Sequence, residues 1–312
     1  MDQIWDCTVI GGGAAGLSAA LVLGRARRRT LLVDAGGQSN RAAEGIGGLL
    51  GHDRRPPREL YDLGRRELAA YPSVELRAGT VASARREDGA FVVELEDGSR
   101  ETARRMLLAA GMDYRTPDLP GVAERWGHSV FHCPFCHGWE HRDEALGVLD
   151  AGATGVHRAL LLRSWSEDVT LFAGGPGRLE AEEAARLAAA GVEVEEREVA
   201  GLAGPGTALT AVVLADGTER ACGGLLVPVT LHQRSGLAEQ LGVALAEPSP
   251  LVADAIAVDE RFRTSAPGVF AAGDASAQMQ SVASAVAAGH GAAAMVVQDL
   301  VAEGVGRAPT AA

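Results

Sequence analysis

The stretch Gly11-Gly12-Gly13-Ala14-Ala15-Gly16 constrains this chain more than any other part of it. A short apolar run, Trp5–Ile10, precedes it, and an Ala- and Leu-rich run, Leu17–Leu23, follows. A second apolar run, Thr30–Val33, ends at Asp34. Strand, glycine turn, helix, strand and acid in that order make a βαβ unit. Each glycine has a physical task. Gly11 permits the tight turn, Gly13 lets the backbone approach a pyrophosphate, and Gly16 lets the helix lie close to the sheet. The helix start at Ala14 and Ala15 offers free N–H donors and a positive dipole end to phosphate. Asp34, 18 residues after Gly16, can accept from ribose hydroxyls. A plain strand–helix turn would not require Asp34, so the pattern predicts a nucleotide-binding unit.

Composition narrows the partners. The 312 residues leave room for about two domains, and 47% hydrophobic content excludes a disordered chain. Only 4% of residues are aromatic, which argues against a stacking platform for single-stranded nucleic acid. The net charge is -12, from 29 basic and 41 acidic residues, so no nucleic-acid partner is expected. Every basic residue is Arg, which excludes a P-loop lysine and a Schiff-base lysine together. No membrane partner is expected either. Thr8–Gly24 is too short and too Gly-rich for a span, and the acidic start Met1–Asp6 is wrong for a signal peptide. The reading is a soluble, cytoplasmic chain with reduced cysteines.

Further along, Val92–Leu95 and Met106–Ala110 read as strands, with a hairpin turn at Glu96-Asp97-Gly98-Ser99. Pro117, Pro120 and Gly121 mark a linker. A second βαβ-like unit begins with the strand Leu146–Leu149, the turn Asp150–Gly155 and the helix Val156–Trp165. Val169–Phe172 is its next strand, and Glu180–Ala190 reads as an amphipathic helix stopped by Gly191. Pro248 and Pro250 mark a return linker. Gly268–Asp274 then leads to a long helix, Gln280–Val301, and Arg307–Ala312 is expected to fray.

The sharpest chemical motif is Cys133-Pro134-Phe135-Cys136-His137. Two cysteines at this spacing can close and reopen a small disulfide ring. The same pair could be half a zinc site, with His128, His132 and His141 as further ligands. It could also be a haem-attachment signal or two structural cysteines. The redox reading gives His137 a task, since an adjoining imidazole can take the proton of an incoming thiol. Cys7 and Cys222 read as small core hydrophobes. A dithiol needs an electron partner, and a dinucleotide flavin suits a disulfide.

Taken together, Gly11–Gly16 with Asp34, the CxxC in the middle region and Gly273-Asp274 near the end resemble the low-molecular-weight thioredoxin reductases. The resemblance covers nearly the whole chain. It implies an α/β chain of two Rossmann-like, three-layer domains, one FAD-binding and one of NAD(P)-binding type. The FAD domain, 1–116 and 246–312, would be split by insertion of the second, 117–245, which carries the CxxC. On that resemblance Gly11, Gly13, Ala14, Ala15, Gly16 and Asp34 hold the adenosine and pyrophosphate of FAD. Gly273 and Asp274 meet the ribityl and phosphate part, and Gln280 and Ser281 face the isoalloxazine edge. Cys136 contacts the flavin, Cys133 exchanges with substrate, and the chain is a homodimer.

Three departures place NADPH in doubt. His137 stands where the reductases usually have an acid, and Asp150 stands at the first glycine of the second nucleotide turn. The stretch Ala173-Gly174-Gly175-Pro176-Gly177, with only Arg178 nearby, lacks the basic cluster that grips a 2′-phosphate. Cys133-Pro134-Phe135-Cys136-His137-Gly138-Trp139-Glu140 is similar to the FAD-dependent dithiol oxidases of disulfide natural products of gliotoxin and holomycin type. Those enzymes pass electrons from a substrate dithiol through CxxC and FAD to molecular oxygen. The expected function is dithiol oxidation of a small molecule, with a thioredoxin-like protein as another possible substrate. The rivals are a disulfide reductase using NADPH or ferredoxin, and a non-catalytic flavin or zinc redox sensor.

Overall fold

The computed structural model describes residues 4–175, 177–276 and 279–306. The expected tail Arg307–Ala312 lies outside them. In chain order the elements are β1 (Trp5–Ile10), α1 (Ala14–Arg25), β2 (Thr30–Asp34), α2 (Pro57–Leu68), β3 (Val74–Ala78), β4 (Val81–Glu87), β5 (Ala90–Leu95), β6 (Arg100–Leu108) and β7 (Met112–Arg115). Next come α3 (Val122–Arg125), β8 (Val130–Phe131), α4 (Pro134–His137), β9 (Leu146–Leu149), α5 (Gly152–Leu162), β10 (Val169–Phe172), α6 (Ala181–Ala189) and β11 (Val192–Glu195). Then follow β12 (Val199–Ala203), β13 (Ala211–Leu214), β14 (Glu219–Ala221), β15 (Gly224–Leu226), β16 (Thr230–Gln233), α7 (Leu237–Gln240), β17 (Val269–Ala271) and α8 (Val282–Gly306).

Chain contacts divide the molecule into two units. The first holds residues 1–39, 57–113 and 231–312, and the second holds 40–56 and 114–230. These limits differ from the expected breaks at 116/117 and 245/246. The Leu231 and Ala253 N–H groups bond back to Leu251 and Leu231 carbonyls, so the chain already belongs to the first unit before Pro248 and Pro250. Residues 40–56, which carry no periodic pattern, side with the second unit through contacts distant in sequence.

In the first unit the strand path is β3-β2-β1-β6-β5-β4, with β17 beside β6. Strands β1, β2, β3, β6 and β17 run parallel, and β4, β5 and β6 form an antiparallel meander. Strands β1, β2 and β17 are covered on both faces and read as mostly apolar runs, whereas β3 at the sheet edge is largely exposed and carries Glu75 and Arg77. Alternate residues serve opposite faces. Cys7, Val9 and Leu32 join a helix-side core with α1 and α8, while Ile10, Leu31 and Val33 join a core with the meander. Helices, parallel sheet and meander thus make three layers.

In the second unit the parallel sheet runs β11-β10-β9-β15-β8, and β12-β13-β14 form a separate antiparallel sheet. Val156, Ala159 and Leu162 of α5 pack on Val148 and Leu171, building the second core. Both units are Rossmann-like. The expected helix Glu180–Ala190 appears as α6, whose Glu183 carboxylate accepts the Glu180 N–H at 3.0 Å.

The long C-terminal helix is apolar along its length yet packs against α1. Val282–Glu303 is long and apolar enough to cross a bilayer by composition. Here its buried residues Ala285, Ala292, Ala293, Val296 and Leu300 share the core of α1. A side chain at Gly289 would place its Cβ 2.0 Å from the Ala15 carbonyl oxygen, so α1 and α8 touch backbone to backbone. Gly289→Ala is expected to cost about 1–3 kcal/mol of stability by overpacking this crossing. Urea unfolding followed by circular dichroism measures the loss.

Candidate active site

The first glycine turn is a cradle built by missing side chains. Gly11 has φ +107°, and a Cβ there would lie 2.2 Å from the Ala109 carbonyl oxygen. A Cβ on Gly16 would lie 1.7 Å from the Gly11 carbonyl oxygen. Gly13 faces open space, with only Gln38 Cγ at 3.7 Å from its would-be Cβ. It caps α1 without any side-chain hydrogen bond, leaving Ala14 and Ala15 at an uncapped helix start. Gly273, with φ +75°, presses on the same place, its would-be Cβ 2.8 Å from Ala15 Cβ. Asp274 follows half-buried.

Asp34 ends β2 with its carboxylate tied into the turn. Oδ1 accepts from the N–H groups of Gly12 at 3.1 Å and Gly36 at 3.0 Å. Oδ2 takes Arg65 Nη2 at 2.8 Å, and Gln38 Nε2 reaches both oxygens at 3.3 Å. Burial opposes ionisation, but these donors outweigh it and hold the carboxyl below its ordinary range. Gly12, Gln38 and Arg65 were missed at the sequence level. Gly12 had a signal, being the middle of three consecutive glycines, and a Cβ there would lie 2.4 Å from Asp34 Cγ. Gln280 is half-buried, and Ser281 caps α8: its Oγ accepts the Ser284 N–H at 3.0 Å and donates to Ser284 Oγ at 2.8 Å. A bare helix start, glycines with no room for Cβ and a fixed carboxylate fit the pyrophosphate and ribose of FAD.

Cys133, Cys136 and His137 belong to the second unit. Cys133 is the extended N-cap of α4, Pro134 follows, and the Cys136 N–H bonds the Cys133 carbonyl at 3.2 Å. Neither cysteine is in a disulfide here, and both are half-buried. A hydrogen bond from the Cys136 thiol lowers the Cys133 pKa, burial opposes it, and the N–H groups of Cys136 and Phe135 add to the lowering. The Cys133 thiolate is therefore favoured over that of an ordinary thiol. Cys7 and Cys222 are buried in the cores. Burial pushes both thiols up, Cys222 to about 12, so neither is a nucleophile at neutral pH.

His137 stacks on Phe131, ring centroids 5.5 Å apart and planes at 9°. Its ring nitrogens are buried and have no hydrogen-bond partner of good geometry among the described residues. Burial lowers its pKa, the nearby backbone of Gly127 and Cys133 opposes this, and His141 and His128 lower it further. The ring is thus neutral at pH 7, with a lone pair available. The three histidines considered as zinc ligands have their own partners. His141 stacks on the same Phe131 and meets Glu144 at 3.1 Å, and His128 meets Glu44 at 3.3 Å. His132 lies against Tyr114 and Trp126, and burial takes it down to about 4. Among the described residues no three His, Cys, Asp or Glu side chains converge as metal ligands.

The second nucleotide turn is tied up by its own side chains. Asp150 Oδ2 binds Arg158 Nη1 of α5 at 2.5 Å, and Oδ1 accepts the Ala151 N–H at 2.8 Å. A Cβ on Gly155 would lie 3.0 Å from the Asp150 carbonyl carbon, so helix and strand remain close. The carboxylate is paired rather than bare, and the cation it uses comes from α5, the helix that follows the turn.

The environments of the four thiols predict their reactivity. In the native protein Cys133 should alkylate with a midpoint pH below that of an ordinary thiol, because its thiolate is the stabilised form. Cys136→Ala removes the donor and should raise that midpoint. Cys7 and Cys222 should react only after denaturation. Mass spectrometry of iodoacetamide-treated protein across pH reads all three outcomes.

Residues 5–289 match the pyridine nucleotide-disulphide oxidoreductase family. The chain is 33% identical to thioredoxin reductase tcpT of Claviceps purpurea, over 96% of each chain. It is 32% identical to thioredoxin reductase sirT of Leptosphaeria maculans, over 92% of this chain and 91% of that one. Among solved structures, an oxidoreductase from Agrobacterium tumefaciens superposes with TM-score 0.90 at 41% identity, covering 96% of this chain and 99% of its own. HlmI superposes with TM-score 0.90 at 38% identity, covering 98% and 96%. With its flavin-type cradle and its CxxC, the chain belongs to the pyridine nucleotide-disulphide oxidoreductase family, as an FAD-dependent thiol–disulfide oxidoreductase of thioredoxin-reductase type.

Proposed function

We propose that this protein oxidises a small-molecule dithiol to a disulfide, with oxygen as the final acceptor. The observation that carries the reading is the Asp150–Arg158 pair in the second nucleotide turn. A pyrophosphate entering there meets a carboxylate where the reductases resembled above have a glycine, and Arg158 is already engaged. The dithiol is intact in the same unit. Electrons are therefore drawn from substrate thiols rather than from NADPH.

The chain's own groups account for the exchange steps. A substrate thiolate attacks Cys133 Sγ of the closed Cys133–Cys136 disulfide, forming a mixed disulfide and releasing the Cys136 thiolate. Neutral His137 takes the proton of the second substrate thiol. That sulfur attacks its partner, closes the product disulfide and releases Cys133 as the stabilised thiolate. Bound FAD would accept the electron pair of the dithiol and deliver it to dioxygen as hydrogen peroxide. Gly11, Gly12, Gly13, Gly16 and Asp34 would hold its adenosine diphosphate part.

Two exposed aromatics beside the pair support an apolar substrate. Phe135 is 70% and Trp139 58% exposed. Each is held from behind: Trp165 meets Phe135 edge-on at 5.5 Å, and Arg142 lies 4.3 Å from the Trp139 ring centroid. Rigid aromatic faces of this kind bind apolar rings at little entropic cost. A homodimer in the cytoplasm completes the proposal, supported by the resemblance to the thioredoxin reductases. The relatives named as thioredoxin reductases favour the second reading, reduction of a disulfide by NADPH.

Oxygen uptake with dithiothreitol in air, set beside anaerobic addition of NADPH, decides between them. Uptake without NADPH and no flavin bleaching by NADPH are expected; bleaching by NADPH overturns the oxidase reading. Cys133→Ser and Cys136→Ser should retain FAD and lose turnover by about a thousandfold. Trp139→Ala should raise KM for an aromatic dithiol roughly three- to tenfold while kcat holds.

A further inference from the structure

The segment 40–56 lies between elements of the first unit in sequence yet sides with the second. It forms a strap braced on itself. The Ile46 N–H bonds the Arg55 carbonyl at 2.9 Å, and the Arg54 N–H bonds the Ile46 carbonyl at 2.8 Å. Asp53 Oδ1 accepts the Gly48 N–H at 2.9 Å. Within the second unit the strap meets residues on both sides of the cysteine pair. Ala42 lies against Gly127, whose would-be Cβ is 2.9 Å from Ala42 Cβ. Glu44 meets His128, and Arg54 lies 3.9 Å from Glu140.

Between these anchors, Gly47 faces the redox motif itself. A Cβ on Gly47 would lie 2.7 Å from the Cys136 carbonyl oxygen, 3.0 Å from its Cα and 3.1 Å from its carbonyl carbon. Three main-chain atoms of one cysteine are thus touched by a residue with no side chain. Gly47 is not among the glycines with positive φ, so conformation does not demand glycine there. Space against Cys136 does.

We propose that Gly47 is a positioning residue of the redox pair: the strap's bare backbone sets where the Cys136 main chain lies. Disulfide closure tolerates only a narrow range of Cα and Cβ separations. Cys133 is the extended cap of α4, whereas Cys136 sits inside the turn with the strap behind it. With Cys136 held, closing and opening the ring falls to Cys133, the sulfur that exchanges with substrate. A methyl group at 47 has to push the Cys136 backbone by several tenths of an ångström. That movement strains the disulfide and loosens the thiol–thiol hydrogen bond.

This inference rests on the reading of Cys133 and Cys136 as a redox pair, and the test separates the two. Wild-type protein is equilibrated in glutathione buffers, and dithiol and disulfide forms are counted by thiol labelling. One glutathione disulfide closes the pair and leaves as two glutathione thiols, so electrons and protons balance. A wild-type pair that never closes overturns the redox reading. For Gly47→Ala we expect a shift toward the dithiol of about tenfold, ~30 mV for two electrons. The midpoint pH of Cys133 alkylation should rise, with FAD content and the far-ultraviolet spectrum unchanged. A folded Gly47→Ala protein with the wild-type equilibrium and midpoint overturns the positioning role and leaves the redox pair intact. If that variant does not fold, hydrogen exchange of the wild type decides. Amides of residues 45–48 should exchange at least about threefold differently in the dithiol and disulfide forms. Identical exchange overturns the proposal.

Discussion

The first unit depends on one close approach, that of Gly16 to the Gly11 carbonyl at the start of α1. The helix lies this near the sheet because neither partner carries a Cβ at the contact. Gly273 and Gly289 then close on Ala15 from two further elements. The start of α1 is fixed by backbone contacts, which have little freedom to relax. A fixed helix start keeps its N–H donors aimed, and aimed donors make an anion site without any lysine.

The chemistry of the second unit follows from a contrast in solvation. Four identical thiols sit in one chain. Burial dominates at Cys7 and Cys222 and raises both, while a neighbouring thiol and two backbone N–H groups outweigh it at Cys133. The same balance leaves His137 neutral, stacked and without a hydrogen-bond partner among the described residues, ready to accept a proton rather than to hold one. The two nucleotide turns differ for a comparable reason. In the first, Asp34 is neutralised by Arg65 from α2 and by the turn's own N–H groups, clear of the helix start. In the second, the acid is moved into the turn itself and paired with α5.

Much of this was legible in the sequence because the informative contacts are local. The glycine turn, the strand–helix alternation and the CxxC depend on residues within one or two turns of each other, and their spacing reports their geometry. The parts that were not legible join residues far apart. Arg65 reaches Asp34 from 31 residues away, and Glu44 reaches His128 from 84. Residues 40–56 carry no apolar period that would announce which unit they join. The prolines Pro248 and Pro250 misplaced the return linker, because a proline marks a break in hydrogen bonding and not the edge of a packed unit.

By itself the sequence determined that the chain holds two nucleotide-type α/β units, a flavin-type cradle and one thiol pair. Those properties need only particular residue types at short spacings, and the backbone has few ways to satisfy them. Tertiary structure alone decided that Arg158 is consumed by Asp150, that Cys133 is the favoured thiolate and that Gly47 lies behind Cys136. Charge pairing, desolvation and close backbone approach are properties of position in space, and the chain acquires them only when distant segments are brought together.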